Sequence, residues 1–140
     1  DCYKIQKNIY EQRKLSQVQL LGEVIHSLKR SKNGKVVSIT ITQHMIQKVE
    51  GVDEDVDGFT EFLRSIDGVE ISFIILEKSD GTHRISFRSS GKYTVNDVAQ
   101  KFDGGGHKFA AGCKTLNSNI IEIEEKIINL LNKKMSKNVN

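Results

Sequence analysis

Proline and tryptophan are absent from this 140-residue chain, and cysteine occurs only twice. The first two absences carry no functional reading. The third removes a class of sites: Cys2 and Cys113 share no CxxC spacing and have no histidine pairing nearby, so a zinc centre is not expected. Two thiols are the expected state, with a disulfide between them left open. No apolar run is long enough to span a bilayer, so no membrane partner is expected. The opening DCYKIQKNIYEQ is polar and charged throughout, unlike a secretory signal, and a cytoplasmic location is expected. The first residue is Asp1 rather than methionine, which raises the expectation of a fragment.

A large charge excess is also missing. The net charge of +3 is too small for wholesale coating of nucleic acid. Its distribution says more. Arg84, Arg88, Lys92, Lys101, Lys108 and Lys114 fall in one segment against only Asp97 and Asp103, whereas acidic residues gather at 50–61 and 122–125. Hydrophobic content of 37% and charged content of 28% fit an ordinary globular protein, long enough for one domain or two small lobes.

Apolar residues from Ile5 to Leu28 recur at near-helical spacing, predicting a long helix or helix pair over Lys4–Lys32, closed by Asn33-Gly34. KVVSITIT at 35–42 alternates as a strand, and helices are expected over Gln43–Glu50 and Phe59–Ile66. VEISFIILE (69–77) and THRISFRS (82–89) read as a hairpin turned at Asp80-Gly81. A helix over Asn96–Phe102, a glycine loop, a short helix over His107–Ala111, a brief strand from Cys113 and a capped final helix over Ser118–Met135 complete the pattern. The expected fold is α/β: a small mixed sheet of about four to five strands flanked by helices. Residues 1–33 would form a linker helix, and 34–140 the domain.

DGGGHKFAAG, from Asp103 to Gly112, is the most informative stretch. Three successive glycines lose much entropy on folding, so the close backbone approach they permit has a use. With a helix starting at His107, unpaired N–H groups would face an anion. His107 can donate a hydrogen bond, and Ala110, Ala111 and Gly112 allow close approach. A phosphate-bearing ligand, the end of a short nucleic acid or a nucleotide, is the chemistry this arrangement suits. A flexible turn is the competing interpretation of a bare GGG.

GGGHKFAAG, preceded by ISFRSSG, resembles the C-terminal, DHH-associated substrate-binding domain of the DHH phosphoesterase superfamily. The order VDGFTEFLRSIDGVEISFIILE, then THRISFRSSGKYTVNDVAQKFDGGGHKFAAGC, is similar to the bacterial oligoribonuclease and 3′-phosphoadenosine 5′-phosphate phosphatase branch, from about Ile9 to Leu116. The resemblance implies that Arg88 contacts a ligand phosphate through its guanidinium fork. It also implies that Gly104, Gly105, Gly106 and His107 hold the terminal nucleotide. Ser86, Ser89 and Ser90 would add hydroxyls, and Lys92 and Lys108 positive potential. Catalysis in that superfamily belongs to a separate N-terminal domain whose Asp and His residues, including a DHH triplet, bind two metal ions, typically manganese. This sequence has no such triplet, and His26, His44, His83 and His107 are scattered with no Asp neighbour. No catalytic or metal-ligating residue is therefore expected here, and the chain alone should be inactive. Expected partners are short RNA, single-stranded nucleic acid or a nucleotide, together with the DHH domain; a homodimer is left open.

Alternatives are a stand-alone nucleotide-sensing module, or the binding domain of a related phosphoesterase for cyclic dinucleotides, polyphosphate or single-stranded DNA. The acidic loop from Asp53 resembles a calcium loop until its twelfth position, which is Arg64 where a bidentate glutamate is needed. Phe59, Phe62, Phe73, Phe87 and Phe102 read as core, leaving Tyr93 and Phe109 as candidates for base stacking.

Overall fold

The β-branched and aromatic runs at 36–41 and 71–77 are too apolar to face water on either side, so they belong at the centre of a covered sheet. A computed structural model, describing residues 14–116 and 119–137, places them there. Six strands are found among these residues: β1 (Lys29–Arg30), β2 (Val36–Ile41), β3 (Ile71–Glu77), β4 (His83–Ser89), β5 (Gly105–His107) and β6 (Ala110–Thr115). They lie in the order β1-β2-β3-β4-β6-β5. Among them, β2 and β3 alone pair in parallel. Their crossover contains α2 (Gln43–Lys48), a 3-10 turn (Asp53–Val56) and α3 (Phe59–Arg64); α1 (Leu15–Ile25), α4 (Asn96–Gln100) and α5 (Ile120–Ser136) are the other helices described.

Strand alternation divides the interior into two cores. Phe73, Ile75, Ile85 and Phe87 turn toward α4 and α5, meeting Val98, Ile123, Ile127 and Leu131. Ile74 and Leu76 turn the other way with Val37, Ile39 and Ile41, under Leu20 and Val24 of α1 and Phe59 and Leu63 of α3. This second core ends at β3. On β4 the same face carries Arg84, Ser86 and Arg88, because these pair in register with Leu76, Ile74 and Ser72.

The expected mixed α/β fold holds, with six strands instead of four to five. The additions are two-residue β1 and the glycine strand β5, both too short to show alternation. The helix expected over Lys4–Lys32 stops at Ile25; Lys29–Arg30 pairs with β2 instead, and residues 1–13 lie outside the described part. Gly34 turns the chain between β1 and β2 with φ +73°, rather than capping a helix. The final helix begins as expected on Asn119, whose side chain accepts from the Glu122 N–H at 3.1 Å; Ser118 is outside the described residues.

The helix expected over His107–Ala111 does not form. Lys108 and Phe109 are a turn, and Gly105, Gly106 and His107 pair with Gly112, Ala111 and Ala110. Alanine favours helix locally, but strand pairing to β4 on the far side of β6 overrides it. Phe62 is 42% exposed rather than core, and Tyr93 is buried at 3% exposure, which removes it as a stacking platform. Phe109 is 41% exposed. Cys113 is a buried free thiol, and burial pushes its pKa up to about 11.

His83, first residue of β4, is 3% exposed, and among the described residues neither ring nitrogen has a hydrogen-bond partner. A buried unsatisfied polar group is destabilising, so His83→Leu is expected to raise unfolding free energy by about 1 kcal/mol in a urea titration. Asp53 sits between Gln43, whose Nε2 donates at 2.7 Å, and Lys78, whose Nζ is 3.4 Å away. Burial works to raise its pKa, but the hydrogen bonds from Gln43 and Lys78 and the lysine's charge outweigh it, and the pKa lies below its ordinary 3.8. The carboxylate therefore contributes stability above that value and loses it as pH falls through the lower folded pKa. Thermal melts below pH 4 should show an acid-induced drop that is smaller in Asp53→Asn.

Candidate functional site

The row Arg84, Ser86, Arg88 lies where the sheet emerges from under α3. Beside it on β6 the register places Lys114, Gly112 and Ala110, and beyond these on β5 come Gly105 and His107. Directly opposed residues in antiparallel strands share a face, so all eight belong to one surface. Its middle row carries only the Ser86 hydroxymethyl on β4 and no side chain at Gly112 and Gly105. A groove of about 460 Å³ opens there, with Arg84, Ser86, Arg88 and Gly112 on the sheet side and Asp57 and Thr60 from the α3 end. Its volume falls in the range of small-ligand sites, about 300–1,000 Å³.

Arg88 is held and left partly free. Its Nε donates to Glu61 Oε1 at 3.2 Å, and Glu61 in turn accepts from Arg64 Nη2 at 2.8 Å. Among the described residues nothing accepts from the two Nη groups of Arg88, so its fork remains open. Arg84 is exposed and has no acidic partner among the described residues. Four residues apart on a strand, the two arginines are separated by about 13 Å at 3.3 Å per residue. Ser86 stands midway, half-buried.

The three glycines have different duties. A Cβ on Gly104 would collide with the Gly112 carbonyl and the Cys113 side chain. Gly106 has φ +141°, and its Cβ would come within 2.7 Å of the Ala110 carbonyl oxygen. Both are required for β5 to lie on β6. Gly105 is different: a Cβ there meets nothing within 4 Å, and its φ is ordinary. The space above it is open, on the face that the groove's Gly112 shares. Among the described residues β5 is the sheet's edge, and its outward N–H and C=O groups have no neighbouring strand there.

Of the residues read from sequence, Arg88, Ser86, Ala111 and Gly112 border the groove, and Gly105, His107 and Ala110 extend its face. Ser89 points into the opposite core at 1% exposure, and its hydroxyl accepts from the Gly91 N–H. The Ser90 hydroxyl donates to Glu70. Lys108 is at the exposed hairpin tip, and Lys92 lines a different cleft. Arg84, Asp57 and Thr60 are additions. Arg84 was recoverable from the strand period of two counted back from Arg88; the other two depend on tertiary packing.

Comparison with known proteins identifies the family and the fold. The DHHA1 domain family matches residues 18–137. The bifunctional oligoribonuclease and PAP phosphatase NrnA of Thermus thermophilus is 25% identical over 122 residues, 87% of this chain and 36% of that protein. A probable bifunctional oligoribonuclease and PAP phosphatase NrnA from Streptococcus mutans is 30% identical over 97 residues, 69% of this chain and 31% of that protein. The chain thus spans about a third of the length of these relatives. The crystal structure of an exopolyphosphatase-related protein from Bacteroides fragilis superposes with a TM-score of 0.85 at 28% identity, covering 95% of this chain and 39% of that one.

Proposed function

The chain belongs to the DHHA1 domain family, and from that premise we propose that it is the substrate-binding domain of a metal-dependent phosphoesterase acting on short oligoribonucleotides or 3′,5′-bisphosphate nucleotides. One observation carries this most: two arginines with open donors stand on either side of Ser86, beside a strip of bare backbone at Gly112 and Gly105 on the same sheet face. Arginine forks suit phosphate oxygens. The bare strip over Gly105 and Gly112 lets a sugar-phosphate chain lie against peptide groups, and His107 at its end can donate to a terminal phosphate. The activities of the Thermus and Streptococcus relatives, oligoribonuclease and PAP phosphatase, support this substrate class.

Hydrolysis would require the metal ions of a DHH domain, with manganese the expected ion. Among the described residues no three His, Cys, Asp or Glu come together as a metal site. The described residues offer no donor set that fits the metal. What the groove supplies is position: it fixes the phosphate chain by charge while a second domain presents the chemistry.

Calorimetric titration of the chain with a 5′-phosphorylated diadenylate tests the proposal. Binding should be exothermic and weaken with added salt, with a logarithmic slope of about −0.7 per phosphate contacted. Absence of binding at low salt, or binding indifferent to salt, would refute it.

A further inference from the structure

Helices α4 and α5 cover the sheet face opposite the groove, and between them lies a second concavity of about 590 Å³. Five lysines line it from three segments: Lys92 ahead of α4, Lys101 at its end, and Lys133, Lys134 and Lys137 at the end of α5. Asp97 is the acidic residue among the described lining, and it is paired with Lys134. Five lysines against one aspartate leave four net positive charges here, more than the +3 of the whole chain. Among the described residues Lys92, Lys101, Lys133 and Lys137 have no acidic partner. An adjoining hollow shares Lys101, Leu130 and Lys133 and adds Phe102 and Lys126, the last paired with Glu122 at 3.2 Å. The ammonium groups therefore run along α5 from Lys126 to Lys137, about 16 Å at 1.5 Å per residue.

Favourable interaction with the α5 dipole accounts for lysines in its last turn. It does not account for Lys92 and Lys101, which come from elsewhere in the chain and add like charge to the same hollow. We propose that this α4–α5 face is a second binding site, taking the phosphate backbone of single-stranded nucleic acid without regard to sequence. Lysines bind phosphate as point charges, and a run of them from three segments along one track matches the evenly repeated charges of a phosphate backbone better than the irregular charges of an acidic peptide. The charges form a track with a half-buried apolar floor at Leu130 and Phe102, giving sugars and bases a surface between phosphates. A lipid surface fits less well: the apolar side of α5, with Ile123, Ile127, Leu131 and Met135, is already buried against the sheet. The site is independent of the groove and does not rest on its assignment.

Fluorescence anisotropy of a labelled oligothymidylate of about 12 nucleotides, a length within single-strand site sizes, tests it on the full 140-residue chain. The charge-reversed variant Lys101→Glu/Lys133→Glu alters two exposed side chains; its circular dichroism should match the parent's, and its melting temperature should fall by only a few degrees, the effect of reversing Lys133 against the α5 dipole. Its affinity is expected to fall about tenfold or more at low salt, and the salt slope to shrink by about 1.4, because two fewer phosphates are neutralised. Binding of the phosphorylated diadenylate should stay unchanged in the same variant. An oligothymidylate affinity and slope equal to the parent's would overturn the proposal, as would loss of binding to anionic vesicles with strand binding intact. Failure of the diadenylate to bind would count against the groove alone and leave this comparison readable.

Discussion

Alanine at both Arg84 and Arg88 is expected to weaken binding of a phosphorylated dinucleotide by about 100-fold or more. Each charge-assisted hydrogen bond contributes about 1.5–3 kcal/mol, and 1.4 kcal/mol is about tenfold in affinity. The fold should be almost unaffected. Arg84 has no acidic partner among the described residues, and the Arg88–Glu61 pair is exposed enough that its loss costs under about 1 kcal/mol. Arg88→Lys separates charge from geometry: it keeps the charge but loses the fork, and should fall between wild type and alanine. Calorimetry on the parent, the double-alanine chain and the lysine variant reads this directly. Equal affinities in the parent and the double-alanine chain would remove the phosphate from β4.

The second large effect divides the glycine run. Gly104→Ala is expected to lower stability by about 3 kcal/mol, at the upper end for overpacking, because its new methyl would collide with the Gly112 carbonyl and Cys113. Gly105→Ala, one residue on, should change stability by less than about 1 kcal/mol, mostly from backbone entropy. Its methyl enters open space on the face it shares with Ser86 and Gly112. The dinucleotide should nevertheless bind the Gly105→Ala chain about tenfold more weakly, since a methyl lifts the ligand off the backbone. Urea denaturation of both variants, with titration of the second, gives the two readings. A destabilised Gly105→Ala chain, or one that binds normally, would mean that the strip is not a ligand surface.

These residues also show what sequence can and cannot convey. The β3–β4 hairpin is legible because Asp80-Gly81 sits between two long runs of strand-forming residues, and the α5 cap because Asn119 and Glu122 satisfy a local rule. GGGHKFAAG reads wrongly as a helix start for an equally physical reason. Its geometry is set by β4, some twenty residues earlier in the chain, through pairs such as Phe87 with Ala111. Local propensity cannot see such a pairing. The same distance hides the separation of duties among Gly104, Gly105 and Gly106. Ser89 and Lys92 look like neighbours of Arg88 because they are close in sequence, but strand alternation sends Ser89 to the other face and the loop carries Lys92 beyond the sheet. Arg84, four residues from Arg88, has the better claim by that same alternation.

The central claim is that a phosphate chain lies across β4, β6 and β5 on the face carrying Arg84 and Arg88. Backbone amide shifts of the isotopically labelled chain during titration with phosphorylated diadenylate test it most directly. The largest changes should fall at Arg84, Ser86, Arg88, Gly105, His107 and Gly112, with those of Lys92, Lys101 and Lys133 unmoved. Changes confined to the α4–α5 face, or absent from Gly105 and Gly112, would contradict it.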